Sequence, residues 1–430
     1  MKKIFTLAVV AAVVLSSCAK VDTYKVSAPE AISFGVYAGN AATKAVSGTD
    51  YSTITNVILG DANKSGFGVF GYYTDAANYA SNTKANFMYN QQVKGNGNGT
   101  AAATAWTYTP VKYWPNEHGA SAVSTDVDKL TFLAYAPFVA NFQIGTDKGV
   151  SIADKAGTAA ADEGIIEMTA NNVAGDATLT FKVPASAKEQ IDLMYGVLGA
   201  AYTDVEGTTI DAVGSPMENL TKQKTDGKIS ILFKHALAKV AIDIKEVVDA
   251  LVPPTSVDPA SDDTKVVVKS ITLKGTDIGT KGELNLYSGA WNVTEDADEF
   301  TVAPLPEDIS VASAPTDYPG ITGVDEDGLT NTIDLMLIPG ASSKITGVEI
   351  VYYVCTYDEQ LDGKVSVVEN KISKNFDSAL AIAKGKAYGL NILLGLTSIE
   401  LTATVEAWDT DINGNGNDDD DIDVDLPKNK

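Results

Sequence analysis

The sequence contains no arginine, so all 32 of its basic residues are lysines. Acidic residues number 56, and the formal net charge is −24. A surface with this charge repels the phosphate backbone of DNA and RNA, which argues against a nucleic-acid partner. The absence of arginine also leaves an arginine-specific protease no bond to cut.

Cysteine and histidine are scarce, with two of each in 430 residues. His118 and His235 lie far apart in sequence, and neither has a Ser/His/Asp or Cys/His arrangement around it. We therefore expect structural or surface roles for both histidines, with no catalytic residue, no cofactor and no zinc site. Cys355, within VYYVCTY, is predicted to be a small buried strand residue.

No apolar run reaches the roughly 20 residues that a membrane-spanning helix needs. The chain opens with MKKIFTLAVVAAVVLSSC, which has two lysines, a short apolar core and small residues before a cysteine. This pattern predicts a secretory signal peptide over residues 1–17. Its end, Leu-Ser-Ser-Cys, resembles the lipobox of bacterial lipoproteins and makes Cys18 the predicted lipid attachment site. In an ordinary signal peptide Cys18 would be incidental.

Strand patterns dominate the rest of the chain. KLTFLAYAPF, DATLTFKV, KISILF, TIDLMLIPG and SIELTATVEAW are β-branched or alternating runs bounded by turn residues. ASAKEQIDLMYG and KEVVDALV could each hold a helical turn or two. We predict an all-β fold of β-sandwiches. A polar stretch over residues 204–228 divides it into an N-terminal domain at 45–205 and a C-terminal domain at 228–408.

Near the N-terminus, AISFGVYAGNAATKA combines a strand pattern with a small polar loop. Ile32, Phe34 and Val36 fall on one side of the predicted strand, as in a half-buried strand. Lys44 is the single basic residue of the loop that follows.

The C-terminus repeats that spacing within an acidic tail over residues 409–430. In DDIDVDLPKNK, Ile422, Val424 and Leu426 alternate with aspartates. Flanking charges are the usual protection of an unpaired apolar strand against aggregation. We interpret this segment as a candidate donor strand.

The same tail carries a calcium-like pattern in DTDINGNGNDDD. Asp409, Asp411, Asn413 and Asp420 stand at positions 1, 3, 5 and 12 of an EF-hand spacing. Position 12 is an aspartate instead of the usual glutamate, and no flanking helix is predicted. An acidic Gly/Asn-rich linker gives the same letters, so we predict no metal site and keep calcium as an alternative.

Four aromatic residues lie within nine positions: Trp106, Tyr108, Tyr113 and Trp114. One interpretation is a platform on which a carbohydrate stacks. We favour a strand pair whose rings fill the first core, because exposed aromatic clusters are uncommon.

Several blocks occur in an order that resembles the Bacteroidales fimbrillin family, the subunits of type V pili. They are AWTYTPVKYWPNEHG, KLTFLAYAP, IDLMYG, ISILFKHALAKVAIDI, LMLIPG and GKAYGLNILLGLTSIELTATVEAW, within residues 32–408. The resemblance implies two transthyretin-like β-sandwich domains and export to the outer membrane as a lipoprotein. It also implies polymerisation into a surface fimbrium by strand exchange, and no enzymatic activity.

By this resemblance, residues 18–44 are a propeptide that carries a removable first strand with Ile32, Phe34 and Val36. A surface protease cuts between Lys44 and Ala45, although the family usually shows arginine at this point. The vacated groove then receives the strand of Ile422, Val424 and Leu426 from another subunit. A chain with its own donor strand is expected to be a shaft subunit.

The expected partners are copies of this chain or related pilin subunits, the outer membrane through the lipid, the surface protease, and a host or bacterial adhesion ligand. The alternative is a lipid-anchored surface protein that keeps its first strand as a permanent edge strand, never polymerises, and binds a glycan or host ligand.

Overall fold

The computed structural model describes residues 30–36, 62, 65–98, 103–115, 128–139, 163–185, 191–203, 209–246, 264–302, 332–357, 365–394 and 399–407. Nearly all of the regular structure in these ranges is β-strand, with one helix of four residues, so the predicted all-β class is confirmed. Within the described ranges, no helix is long and apolar enough to cross a bilayer.

The strands, in chain order, have the following bounds: β1 Ser33–Val36, β2 Phe67–Asp75, β3 Met88–Gly95, β4 Trp106–Thr107, β5 Lys129–Ala136, β6 Gly164–Met168, β7 Thr178–Lys182, β8 Met194–Leu198, β9 Tyr202–Thr203, β10 Thr209–Asp211, β11 Met217–Leu220, β12 Lys228–His235, β13 Ala238–Glu246, β14 Thr264–Asn285, β15 Trp291–Val302, β16 Thr332–Leu337, β17 Lys344–Tyr357, β18 Val365–Ala381, β19 Lys386–Leu394 and β20 Ile399–Ala407. The helix, α1, spans Lys222–Thr225.

The first sheet has eight strands in the order β1-β12-β8-β5-β2-β3-β4, and β11 pairs with β5. Both faces of this sheet are buried at its central strands, such as β5 and β8. On β5, Phe132 packs into a first core that also contains Ile32 and Phe34. The next residue, Leu133, points to the opposite face and joins a larger second core. This alternation follows from the two-residue period of a strand.

Three further sheets are described: β9 and β10 form a two-stranded sheet, and two larger sheets are built mainly from strands of the second half of the chain. One has the order β16-β13-β19-β20, and the other has the order β18-β17-β14-β7-β6 with β15 on β14. The 22-residue strand β14 pairs with β17 over its first part and with β7 at Lys281–Asn285. Two sheets therefore meet around one apolar interior, the second core, which includes Phe181, Leu284 and Leu335.

Strand pairing does not follow the division that the polar stretch suggested. β12 begins at Lys228 but pairs with β1 and β8 of the first sheet. β6 and β7 come before the polar stretch, yet β7 pairs with β14. Within 204–228 the chain forms β10, β11 and α1 and is more than a linker. The two-domain division at 45–205 and 228–408 stays a prediction.

The helical turn predicted in ASAKEQIDLMYG is wrong for its second half. Met194–Leu198 form β8, whose five residues are all buried. A strand pairing with both β5 and β12 explains this outcome, because long-range burial overrides weak helical propensity. Residues 186–190 of that segment lie outside the described ranges.

Candidate functional site

The candidate site is the groove that holds the first strand, β1, at the edge of the first sheet. We call this groove the seat of β1, and it is bounded by β12, by the segment 112–114 and by the turn at Gly227. Ile32 is 2% exposed and Phe34 is 3% exposed, and both belong to the first core. Val36 is partly buried against the same core, whereas Ser33 is exposed. The structure therefore places the three side chains of the predicted removable strand toward the interior.

The segment 30–36, which contains β1, is hydrogen-bonded along both of its backbone edges. It pairs in parallel with β12, where Ser33 lies opposite Lys228 and Val36 opposite Ile231. On the other edge, the Ile32 N–H donates to the Lys112 carbonyl at 2.9 Å. The Trp114 N–H donates to the carbonyl of residue 30, Glu30, at 3.0 Å. A strand in this seat therefore lies between β12 and the segment 112–114.

The Phe34 ring enters a pocket of other aromatic rings. Its centroid lies 6.3 Å from Phe67, 5.8 Å from Phe132 and 5.5 Å from Tyr108, each in an edge-on arrangement. Edge-to-face pairs at such separations add about 0.5–1.5 kcal/mol beyond the area that they bury. The pocket is thus suited to a large apolar side chain at this strand position.

Tyr108 adds a polar contact inside the seat. Its hydroxyl lies 2.8 Å from the Ile32 carbonyl and donates to it, while the Lys112 N–H donates to the same hydroxyl at 3.3 Å. Burial raises the pKa of Tyr108, which keeps the hydroxyl protonated as a donor. This bond recognises only the backbone of β1 and is independent of its side chains.

One end of the seat is the tight turn between α1 and β12. The Gly227 carbonyl accepts from the Trp114 indole N–H at 3.0 Å and from the Ser33 N–H at 3.4 Å. Gly227 has φ +76°, in the left-handed region that favours glycine, and it lies against the carboxylate end of the Glu30 side chain. The same carboxylate lies 3.0 Å from the Lys222 ammonium.

A second lysine covers the outer side of β1. A Cβ built on Gly35 would lie 2.5 Å from Cε and 3.0 Å from Nζ of Lys228. Gly35 is buried, although it lies on the side of β1 that faces away from the core, and the Lys228 side chain lies on that same side.

The structure describes only some of the residues that the sequence singled out. These lie outside the described ranges: Cys18, Lys44, Ala45, His118, Asp409, Asp411, Asn413, Asp420, Ile422, Val424 and Leu426. Cys355 falls in β17, opposite Lys265 of β14, but its side chain is also outside the description. In the part of the chain that is described, no group of three or more His, Cys, Asp or Glu side chains is placed to hold a metal.

The aromatic cluster follows the core interpretation at three of its four positions. Trp114 is buried in the first core, and Trp106 and Tyr108 pack against it. Tyr113 is 49% exposed. His235 is buried, and its Nδ1 lies 3.0 Å from both carboxylate oxygens of Asp192, a contact that joins β12 to the chain before β8.

Sequence reasoning missed the roles of Gly227, Lys222 and Lys228. The only local signal was the Asp-Gly turn before KISILF, because the partners of these residues lie more than 100 positions away.

Comparisons with known proteins agree with this fold. A curated relative, "Fimbrium subunit Fim1C" from Phocaeicola vulgatus, is 24% identical over 335 residues, which cover 76% of this chain and 70% of that protein. The crystal structure of a fimbrial protein from Bacteroides vulgatus has a TM-score of 0.54 at 21% identity, and the match covers 88% of this chain and 100% of that one. Both are described as fimbrial proteins and neither as an enzyme, in agreement with the prediction of no enzymatic activity.

The family described as "Fimbrillin-like" matches residues 43–408. This range contains every described strand except β1. The chain therefore belongs to the fimbrillin-like family, as its sequence blocks predicted.

Proposed function

We propose that this protein is a shaft-type structural subunit of a cell-surface fimbria. In this proposal the chain is exported as a lipoprotein on Cys18, anchored in the outer membrane and cut between Lys44 and Ala45. It then polymerises when the strand of Ile422, Val424 and Leu426 from another subunit replaces β1.

The observation that supports this proposal most directly is the separate position of β1 in the chain. The buried side chains of Ile32, just before β1, and of Phe34, within it, pack against residues that come from Phe67 onward. A cut after Lys44 would detach β1 and would break no other described strand. The seat would then be an open apolar groove with aromatic walls.

An open groove of this kind favours strand addition. Burial of each large aliphatic or aromatic side chain is worth about 1.5–3 kcal/mol. Each backbone hydrogen bond to β12 or to segment 112–114 adds about 0.5–1.5 kcal/mol. An incoming strand that restores this side-chain burial and these backbone hydrogen bonds forms a joint that reverses slowly, as a load-bearing shaft requires.

The absence of arginine permits a test with a single cut. We expect the variant Lys44→Arg, treated as folded precursor with an arginine-specific protease, to be cut only after residue 44. The new N-terminus should be Ala45, and the product should multimerise as a function of concentration. The uncut precursor and Lys44→Gln, under the same protease, should remain monomeric.

Two results would contradict the proposal. One is a product that starts at Ala45 yet stays monomeric at high concentration. The other is N-terminal sequencing of surface material from cells that finds only lipidated Cys18, which would identify a retained lipoprotein. A Cys18→Ala variant that reaches the surface normally would contradict the lipid anchor alone.

A further inference from the structure

Two lysine side chains, those of Lys222 and Lys228, lie against the segment 30–36 in a protein whose net charge is −24. Lys222, on α1, pairs with the carboxylate of Glu30 just before β1. Lys228, at the start of β12, lies across the outer side of Gly35. The strand that occupies the seat therefore meets one positive charge at position 30 and a second at position 35.

The C-terminal segment fits this spacing in one register. If Ile422 takes the position of Ile32, then Val424 and Leu426 take the inward positions of Phe34 and Val36. The same alignment puts Asp420 at the position of Glu30 and Asp425 at the position of Gly35. Lys222 thus faces Asp420 and Lys228 faces Asp425, while Asp423, at the position of Ser33, also lies opposite Lys228 in the parallel pairing.

Neighbouring registers lose this fit. A shift of two residues in one direction puts Asp420 into the buried position of Ile32, and burial of an unpaired carboxylate is costly. A shift of two in the other direction puts Lys428 at the inward position of Val36 and leaves Ile422 facing Lys222. Apolar and charged positions therefore select the same register.

We propose that Lys222 and Lys228 recognise the acidic residues Asp420 and Asp425 of a second copy of this chain and thereby set the register of its strand in the vacated seat. This inference rests on the proposed function and adds the partner segment and its alignment.

The geometry around Lys228 favours the replacement of Gly35 by Asp425 of the incoming strand. A side chain at the position of Gly35 meets only the far end of the Lys228 side chain, which is flexible and can move aside. The carboxylate of Asp425 then lies within reach of the ammonium that it displaces. Asp226, in the same turn, is an exposed acid, and Glu30, which forms an ion pair with Lys222, leaves with the propeptide.

The other two aspartates of the segment fall at solvent-exposed positions, so burial does not disfavour them. Asp421 and Asp423 fall at the positions of Ala31 and Ser33, which are both exposed. Their carboxylates can face water.

Charge exchange in the full chain tests the pairing. All proteins carry Lys44→Arg and are matured by an arginine-specific protease, so the added lysines create no new cut. We expect Lys228→Asp alone, and Asp425→Lys alone, to slow polymerisation by roughly threefold to tenfold, because each places like charges together. The chain with both changes should recover the parent rate within about twofold.

Lys344→Asp is the matched control, because Lys344 is an exposed lysine on β17 in another sheet. It should leave the rate unchanged, and the melting temperatures of all precursors should agree. Equal slowing by Lys344→Asp, or a failure of the double change to recover, would overturn the lysine–aspartate pairing while leaving strand exchange intact. A parent protein that never polymerises would instead overturn the proposed function itself.

Discussion

At the scale of single residues, the seat of β1 depends most on Phe34. Its ring is 3% exposed and is surrounded by Phe67, Tyr108 and Phe132. The hydrophobic burial and the ring contacts come from a strand of only four residues. The Phe34 side chain therefore contributes a large share of the free energy that holds β1 in its seat.

We expect Phe34→Ala to destabilise the precursor by about 3–5 kcal/mol, because the ring leaves a cavity in the first core. Urea unfolding of the precursor measures this loss. Tyr113→Ala, which truncates a half-exposed aromatic residue beside β1, should cost under about 1 kcal/mol. The variant precursor should approach the stability of the matured chain, which no longer contains Phe34. A loss under about 1 kcal/mol for Phe34→Ala would contradict the packing described here.

At the scale of strands, the sequence predicts local patterns well and their partners poorly. The alternation of Ile32 and Phe34 and the runs KISILF and KLTFLAYAPF correspond to strands with buried alternate residues. β15 was not predicted, because WNVTEDADEFTV carries acidic residues where an apolar alternation would be expected. It is an edge strand on β14, and exposed acids at such an edge hinder pairing with other molecules.

The partner of β12 could not be predicted in the same way. KISILF shows a strand period, but nothing in it distinguishes pairing with β1 and β8 from pairing with later strands. The turn that precedes it looked like a linker because its contacts to Glu30 and Trp114 are distant in sequence. The groove therefore became visible only in three dimensions, although its occupant was predicted from the sequence.

We expect removal of β1 from the folded chain to expose the aromatic walls of the seat. After the cut at residue 44 of the Lys44→Arg variant, fluorescence of a dye that binds apolar surface should rise. A synthetic peptide of residues 30–36 should reverse the rise, whereas the same peptide with Phe34→Asp should not. An unchanged dye signal after complete cutting would show that β1 stays bound or that the groove closes by itself.

At the scale of the whole molecule, the second core includes side chains from both halves of the chain. Phe181 of β7, Leu284 of β14 and Leu335 of β16 belong to one buried cluster. The Trp291 indole N–H also donates to the Ala236 carbonyl at 2.6 Å, which ties β15 to the end of β12. Shared strands and a shared core couple the halves energetically.

We expect the monomeric precursor to unfold in a single transition, with circular dichroism and tryptophan fluorescence giving the same urea midpoint. A fragment of residues 228–408 should not fold, because β14 loses β7 and β12 exposes Ile229 and Ile231. A longer fragment that begins at residue 163 restores β6 and β7 and serves as the comparison. Two separate midpoints, or a fragment 228–408 that unfolds cooperatively, would support independent domains.

The parallel pairing of β1 with β12 has a consequence for any fibre built on this seat. A replacement strand that keeps the same backbone bonds must run in the same direction as β12 in every subunit. The contact is then made by two different surfaces, a tail and a seat, so one contact has no two-fold symmetry, and its repetition builds an open fibre when the subunits do not close into a ring. Such a fibre is polar, with an unfilled seat at one end and an unused tail at the other, so growth and termination are distinct events at opposite ends.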